Sequence, residues 1–577
     1  MNSIEQVRHS LAHLMASAVK ELWPDSKATI GPAIDNGFYY DFDFATPISE
    51  TDLARIEKKM REKAKNWDTY TQSFISIDEA RERFKDNPYK LELIAEIEQS
   101  KEPVSIYSSG DFSDLCSGPH VSSLKEVDLG GFKILKLAGA YWRGDEKNKM
   151  LTRIYGLAFA TQAELEAYET QQEEARKRDH RKIGKELKLF TISDLIGPGL
   201  PLMQPNGMII RKELEDFLWD LHKRKGYNRV WTPHITKLSL YETSGHAAKF
   251  GEELFRVQGG DEEFFMKPMN CPHHMQIFSD NQFSYRDMPV RYFEPATVYR
   301  YEKAGQLSGL ARVRALTQDD GHLFCRVSQI SEEVTTIVQI IKTFYTRMNM
   351  LNEYWVRLSV RGEDRSQYLG SDDVWERAEA ALEKAAKEND LNYRRVEGEA
   401  AFYGPKLDFM FKDAIGREWQ LATIQCDFNL PERFDLAFTN VKGENERPVV
   451  IHRAICGSLE RFMSVMIEHF AGNFPVWLSP VQIKVIPVRD THNAYAKTVA
   501  DALLDAGLRV QFDDSDEGMG KKVRAGKVQK IPYLLIIGDK EIESNELTVE
   551  SRDTEKQEKI SLAQLTEKLT REMKERV

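Results

Sequence analysis

The apolar residues of IEQVRHSLAHLMASAVKEL (Ile4 to Leu22) recur at three- and four-residue intervals, the spacing of one buried face of an α-helix. Downstream come short aromatic runs such as Gly37-Phe38-Tyr39-Tyr40 and a polar helix-forming stretch from Asp52 to Asn66, so roughly the first 160 residues read as a small α+β unit. From Gln162 to Leu187 apolar residues thin out and helix formers dominate. Acidic residues come early and basic ones late, as the helix dipole favours, which predicts a solvated connecting helix. Gly197-Pro198-Gly199-Leu200-Pro201 breaks this pattern and opens a long region reaching about Pro480. Strand-like runs there (Asn228 to Trp231, Pro289 to Phe293, Glu418 to Asp427, Pro448 to Ile451) lie among amphipathic helices, predicting a large, mostly antiparallel sheet flanked by helices. Beyond Pro480 the strands become wholly apolar, VQIKVIPV and IPYLLIIG, and alternate with helical segments from Ala494 to Ala506 and Gly520 to Lys530. That is the pattern of a small α/β domain on a parallel sheet.

The length of 577 residues leaves room for three to five such units at about 100–200 residues each. Hydrophobic residues at 41% and charged ones at 30% fit a multi-core globular chain, and no run approaches the roughly 18 apolar residues of a membrane span. The start, MNSIEQVRHS, lacks a basic-then-apolar leader, so the expected compartment is cytoplasmic. A net charge of −11 argues against coating nucleic acid by bulk electrostatics, while leaving local basic patches open. Five scattered cysteines with no C-x-x-C exclude a disulfide framework or zinc finger, so any metal site must join residues far apart in sequence.

Candidate chemistry falls in two places. His9-Ser10-Leu11-Ala12-His13 puts two imidazoles on one face of the first helix, and Asp114-Leu115-Cys116-Ser117-Gly118-Pro119-His120 adds a thiol and a third imidazole. The set suits either tetrahedral zinc or activation of a water for ester hydrolysis, with unrelated surface histidines as the bland alternative. In the middle, Arg300 and Glu302 at alternate strand positions would face one side, one clamping phosphate and the other accepting from an amino group. Arg312 and Arg314 follow, making a polyanion the natural ligand and a solvated charged face the competing reading. Gly457-Ser458-Leu459-Glu460-Arg461 is a small-residue turn opening a helix, suited to phosphate. There is no GxxxxGK[ST] and no GxGxxG after a strand, so a bound nucleotide would be held by arginines on an antiparallel sheet.

These residues resemble the class II aminoacyl-tRNA synthetases. Arg300-Tyr301-Glu302 is similar to their motif 2, Gly457 to Arg461 to motif 3, and Pro233 sits where motif 1 carries its proline. The finer resemblance is to the threonyl-tRNA synthetases, through MKPMNCPHH (Met266 to His274), RVRALTQDDGHLFC (Arg312 to Cys325), AFYGPKLDF (Ala401 to Phe409) and VIHRAICGSLERF (Val450 to Phe462). HSLAH, YYDFDF, CSGPHV and AGAYWRGD resemble the family's editing domain. The resemblance spans essentially the whole chain and implies an α+β editing domain over 1–161, a linker helix over 162–190, a class II catalytic domain over 191–479 and an α/β anticodon-binding domain over 480–577.

It further implies an enzyme, probed by its parts, that makes threonyl-adenylate from L-threonine and ATP with Mg2+, transfers it to tRNA(Thr), and hydrolyses mischarged Ser-tRNA(Thr). One zinc on Cys271, His322 and His452 would keep a position open for the amino and hydroxyl groups of threonine. Valine cannot ligate and would leave Gln318 or Asp320 unpaired. Arg300 would hold the α-phosphate, Glu302 the adenine amino group and Arg461 the far phosphates. Arg312 would add a further cation, and Lys406, next to Tyr403, would face the reacting centre. Gln420, Thr423 and Gln425 would complete the amino-acid pocket, with Met269 and Ser458 also at the substrate, and His246 would take the proton of the tRNA terminal 2′-hydroxyl. Serine keeps the hydroxyl and lacks one methyl, a difference of about 1–3 kcal/mol, too little for faithful translation. Hence the second site, whose His9, His13, Lys90, Asp114, Cys116 and His120 are expected to activate water without metal. Lys521, Lys522, Arg524, Lys527 and Lys530 would form a basic surface toward RNA, with Glu541 reading the anticodon, and the family implies a homodimer.

Several positions depart from the family. With eight residues before His9, its usual amino-terminal ubiquitin-like domain is expected to be missing. Leu316 stands where Phe usually stacks on adenine, which should weaken ATP binding modestly; His273 replaces a common Gly beside Cys271 and offers a rival ligand; and Glu550 falls where an Arg is expected, with Arg552 two residues on. Two alternatives compete. Another class IIa synthetase is opposed by the TQDDGH and NCP segments, and a non-catalytic tRNA-binding paralogue by the presence of Arg300, Arg312 and Arg461.

Overall fold

The computed structural model describes residues 3–554 and 556–577, and the chain divides into two compact units, 1–173 and 174–577. In the first unit the helix Ile4–Leu22 starts from a capping box in which Ser3 and Gln6 satisfy each other's backbone N–H groups. Its apolar stripe, including Leu11, Leu14, Met15 and Val19, packs with the helix Leu53–Ala64 onto an antiparallel sheet. That sheet runs in the order Lys27–Ala28, Gly37–Asp43, Met150–Ala158, Phe132–Tyr141, with Ala33–Ile34 paired to Gly37–Asp43. Alternation in Gly37–Asp43 sends Phe38, Tyr40 and Phe42 into the core. A smaller sheet, Thr71–Ile75, Val104–Ser109 and Phe112–Leu115, and the helix Pro88–Ser100 complete the α+β unit.

The connecting segment is not one solvated helix. It forms two, Gln162–Lys177 and His180–Glu186, because Asp179 turns out of helical geometry and caps the second by accepting from the Arg181 N–H. The second helix buries His180, Ile183 and Gly184.

The second unit is built on an eight-stranded sheet in the order Asn228–Arg229, Val290–Tyr299, Ala315–Cys325, Val449–Ala454, Glu418–Asp427, Lys406–Lys412, Tyr354–Val360, Tyr393–Glu397. All pairs are antiparallel except those at the two edges. Helices Pro205–Lys223, Ile330–Arg347 and Leu459–His469 bury their apolar stripes in the same core as the sheet's inner face, among them Leu214, Phe217, Ile337, Phe344, Phe462 and Met466. At the carboxyl end Val510–Phe512, Ile483–Pro487 and Tyr533–Ile537 pair in parallel, as their apolar runs predict. The expectation of a wholly parallel sheet fails for the last two strands. Leu547–Ser551 and Gln557–Ile560 join antiparallel, and the polar Gln557–Ile560 forms the open edge.

Candidate active site and metal centre

Directly opposed residues of an antiparallel pair share a face. His322 stands opposite His452, His452 opposite Gln425, and Gln425 opposite Lys406, so the four form one row across the middle of the sheet. Leu316, Gln318 and Asp320 precede His322 at alternate positions and share its face. Residues between them point into the core. Arg453 is buried over Tyr227 and Phe293, 3.7 Å from Asp319, and occupies the space that any side chain at Gly321 would need. Asp319 in turn accepts from the Ile455 N–H at 2.7 Å, and a bridge between Gln318 and Ser458 holds the Gly457 turn beside the row.

Cys271, first residue of the helix Cys271–Ser279, meets His322 and His452 with all three donor atoms within 4.8 Å of one another. His452 Nε2 lies 2.9 Å from Asp427 Oδ2. His322 Nδ1 lies 2.7 Å from His274 Nδ1, whose Nε2 is 3.0 Å from Glu294 Oε2. Glu294 also accepts from the Thr232 N–H at 2.9 Å and faces Lys267 at 3.6 Å. Each triad histidine thus has one nitrogen engaged, leaving His322 Nε2 and His452 Nδ1 toward Cys271. Burial pushes the Cys271 thiol well up and His322 well down, so both are neutral without a cation, and a soft divalent ion is the ligand whose binding favours the thiolate. The donor set fits zinc. His273 is outside this group, its two ring nitrogens buried without hydrogen-bond partners among the described residues. Asp427, His274 and Glu294 escaped the sequence reading. Glu294 is opposite Asp320 and Asp427 is two residues from Gln425, so both share the site's face, but only the register reveals it.

His246 lies against the triad, Nε2 3.3 Å from Cys271 Sγ and Nδ1 2.8 Å from Ser244 Oγ. Burial lowers its pKa to about 3, keeping it a neutral base. Asp320 accepts from Asn270 at 3.0 Å, and half-buried Met269 precedes that residue. Farther along the row, buried Asp408 gathers Lys406 (2.7 Å), Gln420 (2.8 Å), Thr423 (3.0 Å) and Ser359 (2.8 Å), while the Tyr403 hydroxyl donates to Gln425 at 2.9 Å. Gln420 and Thr423 share a face despite their odd spacing, because a bulge places Leu421 between the partners of Phe409 and Met410.

The arginine cluster needs a correction. The strand Val290–Tyr299 ends before Arg300, and the Glu302 N–H donates to the Arg300 carbonyl at 2.8 Å, so Arg300 and Glu302 sit on a turn and not at alternate strand positions. Glu302 accepts from Arg312 Nε at 3.0 Å; Arg300 lies over the Phe250 ring, donating to the Pro268 carbonyl. Arg461, in the first turn of the helix Leu459–His469 capped by Ser458, packs over Trp419. Burial, then the like charge of Arg312, lowers its pKa. An arginine in a helix's first turn with a second arginine's like charge near it is chemistry suited to an anion.

In the first unit His9, His13, Cys116 and His120 also converge, their donor atoms within 4.8 Å, beside a cavity of about 580 Å³ that Tyr40, Lys90 and Asp114 help line. Cys116 Sγ is 3.3 Å from His9 Nε2 and 3.4 Å from His120 Nε2. The far nitrogens meet neutral partners, the Pro119 carbonyl at 3.1 Å and Ser10 Oγ at 3.1 Å. Buried Lys90 pairs with Asp114 at 2.6 Å, and Asp114 also accepts from Tyr40. Burial takes the Cys116 thiol to about 11 and His120 down to about 2, so both are neutral.

On the basic helix Met519–Val528, Lys521 and Lys527 stay exposed while each holds a carboxylate. Lys521 pairs with Glu517 and Lys527 with Glu550, while Lys522 and Lys530 donate to the carbonyls of Asp513 and Ala471. Glu541 caps its own helix, accepting from the Gly538 N–H at 2.9 Å and the Thr548 hydroxyl at 2.6 Å.

Comparison with known proteins brings these sites together. The family model for the class II tRNA synthetase core domain (G, H, P, S and T) matches residues 254–470, that for the anticodon binding domain 482–572, and that for the threonyl and alanyl tRNA synthetase second additional domain 104–155. A threonine–tRNA ligase of Gloeobacter violaceus is 47% identical over 557 residues, covering 95% of this chain and 89% of the relative. One of Rubrobacter xylanophilus is 50% identical over 548 residues, covering 95% and 85%. The RNA binding domain of threonyl-tRNA synthetase from Cryptosporidium parvum Iowa II matches in structure with a TM-score of 0.65 at 36% identity, over 68% of this chain and 98% of that one.

Proposed function

The chain belongs to the threonyl-tRNA synthetases and is a threonine–tRNA ligase, and on that premise we propose which residues carry each step. Cys271, His322 and His452 hold one zinc, which when bound orients threonine through its amino and hydroxyl groups. Asp320, aligned by Asn270, and Gln318 accept from the substrate, and Met269, Tyr403, Gln420, Thr423, Gln425 and Ser458 enclose it. ATP enters with Mg2+. Arg300 holds the α-phosphate, Glu302 the adenine amino group, and Arg312 with Arg461 the outer phosphates, so charge growing at phosphorus meets cations already in place. Lys406, fixed by Asp408, faces the reacting centre, and His246 takes the 2′-hydroxyl proton during transfer to tRNA(Thr). The observation that carries this reading is the row His322, His452, Gln425, Lys406 with Cys271 at one end and the arginines beside it.

In the first unit the neutral imidazoles of His9, His13 and His120 and the Cys116 thiol, with the Lys90–Asp114 pair, activate water to hydrolyse Ser-tRNA(Thr) without metal. The proposed segments are editing 1–161, linker 162–190, catalysis 191–479 and anticodon binding 480–577, where Glu541 reads the anticodon with its carboxylate set by Gly538 and Thr548. A homodimer is supported by exposed apolar residues, Leu195 at 98% with Ile192 and Ile196 in one segment and Trp231 at 73% just past the edge strand Asn228–Arg229. No helix among the described residues is long and apolar enough to cross a membrane, and five free cysteines suit a cytoplasmic compartment. Threonine-dependent ATP–pyrophosphate exchange, run against serine and valine with and without a chelator, tests the synthetic half. Exchange should be strong with threonine, weaker with serine, minimal with valine and abolished by the chelator. Threonine exchange untouched after complete metal removal would refute the zinc role.

A further inference from the structure

His180, first residue of the linker's second helix, is buried, with the helix Leu459–His469 on one side and the Leu310 backbone on the other. Its Nδ1 is 2.6 Å from Glu468 Oε1, near the end of the helix Leu459–His469, and that same oxygen accepts the His180 backbone N–H at 3.1 Å. Its Nε2 accepts the Leu310 N–H at 3.1 Å. This pattern requires the neutral imidazole with hydrogen on Nδ1, because the amide N–H has only an acceptor to meet at Nε2. The other Glu468 oxygen receives Arg417 at 2.5 Å, and Arg417 also donates to Asp413. Glu468 is thereby held from behind, and the ring is fixed at both nitrogens.

Leu310 is the centre of a tight turn closed by Ser308 and Arg312, whose N–H groups donate to each other's carbonyls at 3.1 and 3.2 Å. Gly309 enters the turn with φ +49, and a Cβ there would lie 2.1 Å from His180 Nε2. Arg312 leaves it and pairs with Glu302 at 2.8 Å. The chain from the linker therefore reads His180, Leu310, Arg312, Glu302, the imidazole meeting the turn through the Leu310 main-chain hydrogen bond.

We propose that His180 is a positioning residue for ATP, setting the Ser308–Arg312 turn and through it Arg312 and Glu302; this rests on the ATP role proposed above for those two residues. It touches no substrate. Loss of the Nε2 acceptor strands a buried N–H and frees the turn, while the strand that follows, Ala315–Cys325, with Gln318, Asp320 and His322, stays held by ladders on both sides.

Pyrophosphate exchange on the full chain provides the test, with the KM for ATP and for threonine measured separately. His180→Asn keeps a donor toward Glu468 and loses the acceptor. It should raise the ATP KM about tenfold and leave the threonine KM within about twofold. His180→Gln, whose amide oxygen reaches the Nε2 position, should bring the ATP KM back to within about threefold of the parent. An unchanged ATP KM in His180→Asn, or equal rises for both substrates without rescue by Gln, overturns the proposal. Should His180→Asn not fold, Gly309→Ala pushes the turn from the imidazole: an ATP-specific rise supports the proposal and an unchanged ATP KM overturns it. Arg312→Ala separates the two layers. If it leaves the ATP KM unchanged the underlying ATP reading fails; if it responds while His180→Asn does not, only the positioning role falls.

Discussion

The two histidine–cysteine clusters of this chain have nearly the same donors and different backing. Behind His452 stands Asp427, and behind His322 stands His274 with Glu294 beyond it. Behind His9 and His120 stand a carbonyl and a hydroxyl. A carboxylate behind an imidazole raises its basicity and holds it in the tautomer a metal needs, whereas a neutral acceptor orients the ring without that charge. Donor inventory alone assigns zinc to both clusters. On the roles proposed above, the charge of the partner at the far nitrogen is what separates the cluster assigned a cation from the one assigned water.

The sharpest way to break this contrast is to remove one sulfur from each. Cys271→Ser should take metal content, measured by mass spectrometry of the purified chain, from about one zinc to none, and threonine-dependent exchange should fall about a thousandfold or more. Cys116→Ser should keep the zinc and the exchange while losing Ser-tRNA(Thr) hydrolysis. If Cys116→Ser is the variant that loses metal, the assignment of the two clusters is inverted.

Acid gives the next largest effect. His9, His13 and His120 have folded-state pKa values below the ordinary 6.5, led by burial, with His120 at about 2. Their stabilising contribution is complete above about pH 6.5 and is lost as pH falls below it toward the folded values, because the unfolded chain binds protons the folded one refuses. Each ring that stays neutral costs about 1.4 kcal/mol per pH unit there. Hydrogen exchange resolved to residues 1–161 of the whole chain should show falling protection between pH 6.5 and 5, with a shallower slope in His120→Asn. Flat protection across that range would mean the rings are not held neutral by burial.

What was readable beforehand follows from range along the chain. Helical spacing placed His9 and His13 on one face, and the Gly457 turn at a helix start needed only neighbouring residues. The family motifs named Cys271, His322 and His452, but their backing lay out of reach. Asp427 and Glu294 reach the site only through strand register, in a sheet whose ladder between Ala315–Cys325 and Val449–Ala454 joins residues more than a hundred positions apart, and His274 enters from the helix Cys271–Ser279. Period-two reasoning failed where the backbone leaves the ladder, at the Arg300 turn and at the Leu421 bulge. The linker was misread because Asp179, a cap, looks like one more helix-surface charge.

Within the synthetic cluster the contrast becomes quantitative. Asp427→Asn keeps an oxygen acceptor for His452 and removes its charge, and should weaken zinc affinity about 10–100-fold in competition with a calibrated chelator. Ser10→Ala, which removes the neutral partner of His120, should leave that affinity unchanged.

Glu294→Gln makes the smallest change and the finest test. Its charge acts on His322 through the intervening His274 ring, one hydrogen bond farther than Asp427 acts on His452, so zinc affinity should fall only about two- to tenfold. The substitution also leaves buried Lys267 facing a neutral amide at the 3.6 Å distance where it now faces a carboxylate. Burial already lowers the pKa of that ammonium, and the lost charge pushes it lower still, so part of the cost is relieved by Lys267 giving up its proton. The loss of affinity should therefore shrink as pH rises from 6 to 9, once the ordinary pH dependence of the parent is subtracted. A loss as large as that of Asp427→Asn would mean that charge reaches the metal undiminished through His274, and distance from the ligand would cease to matter in this comparison.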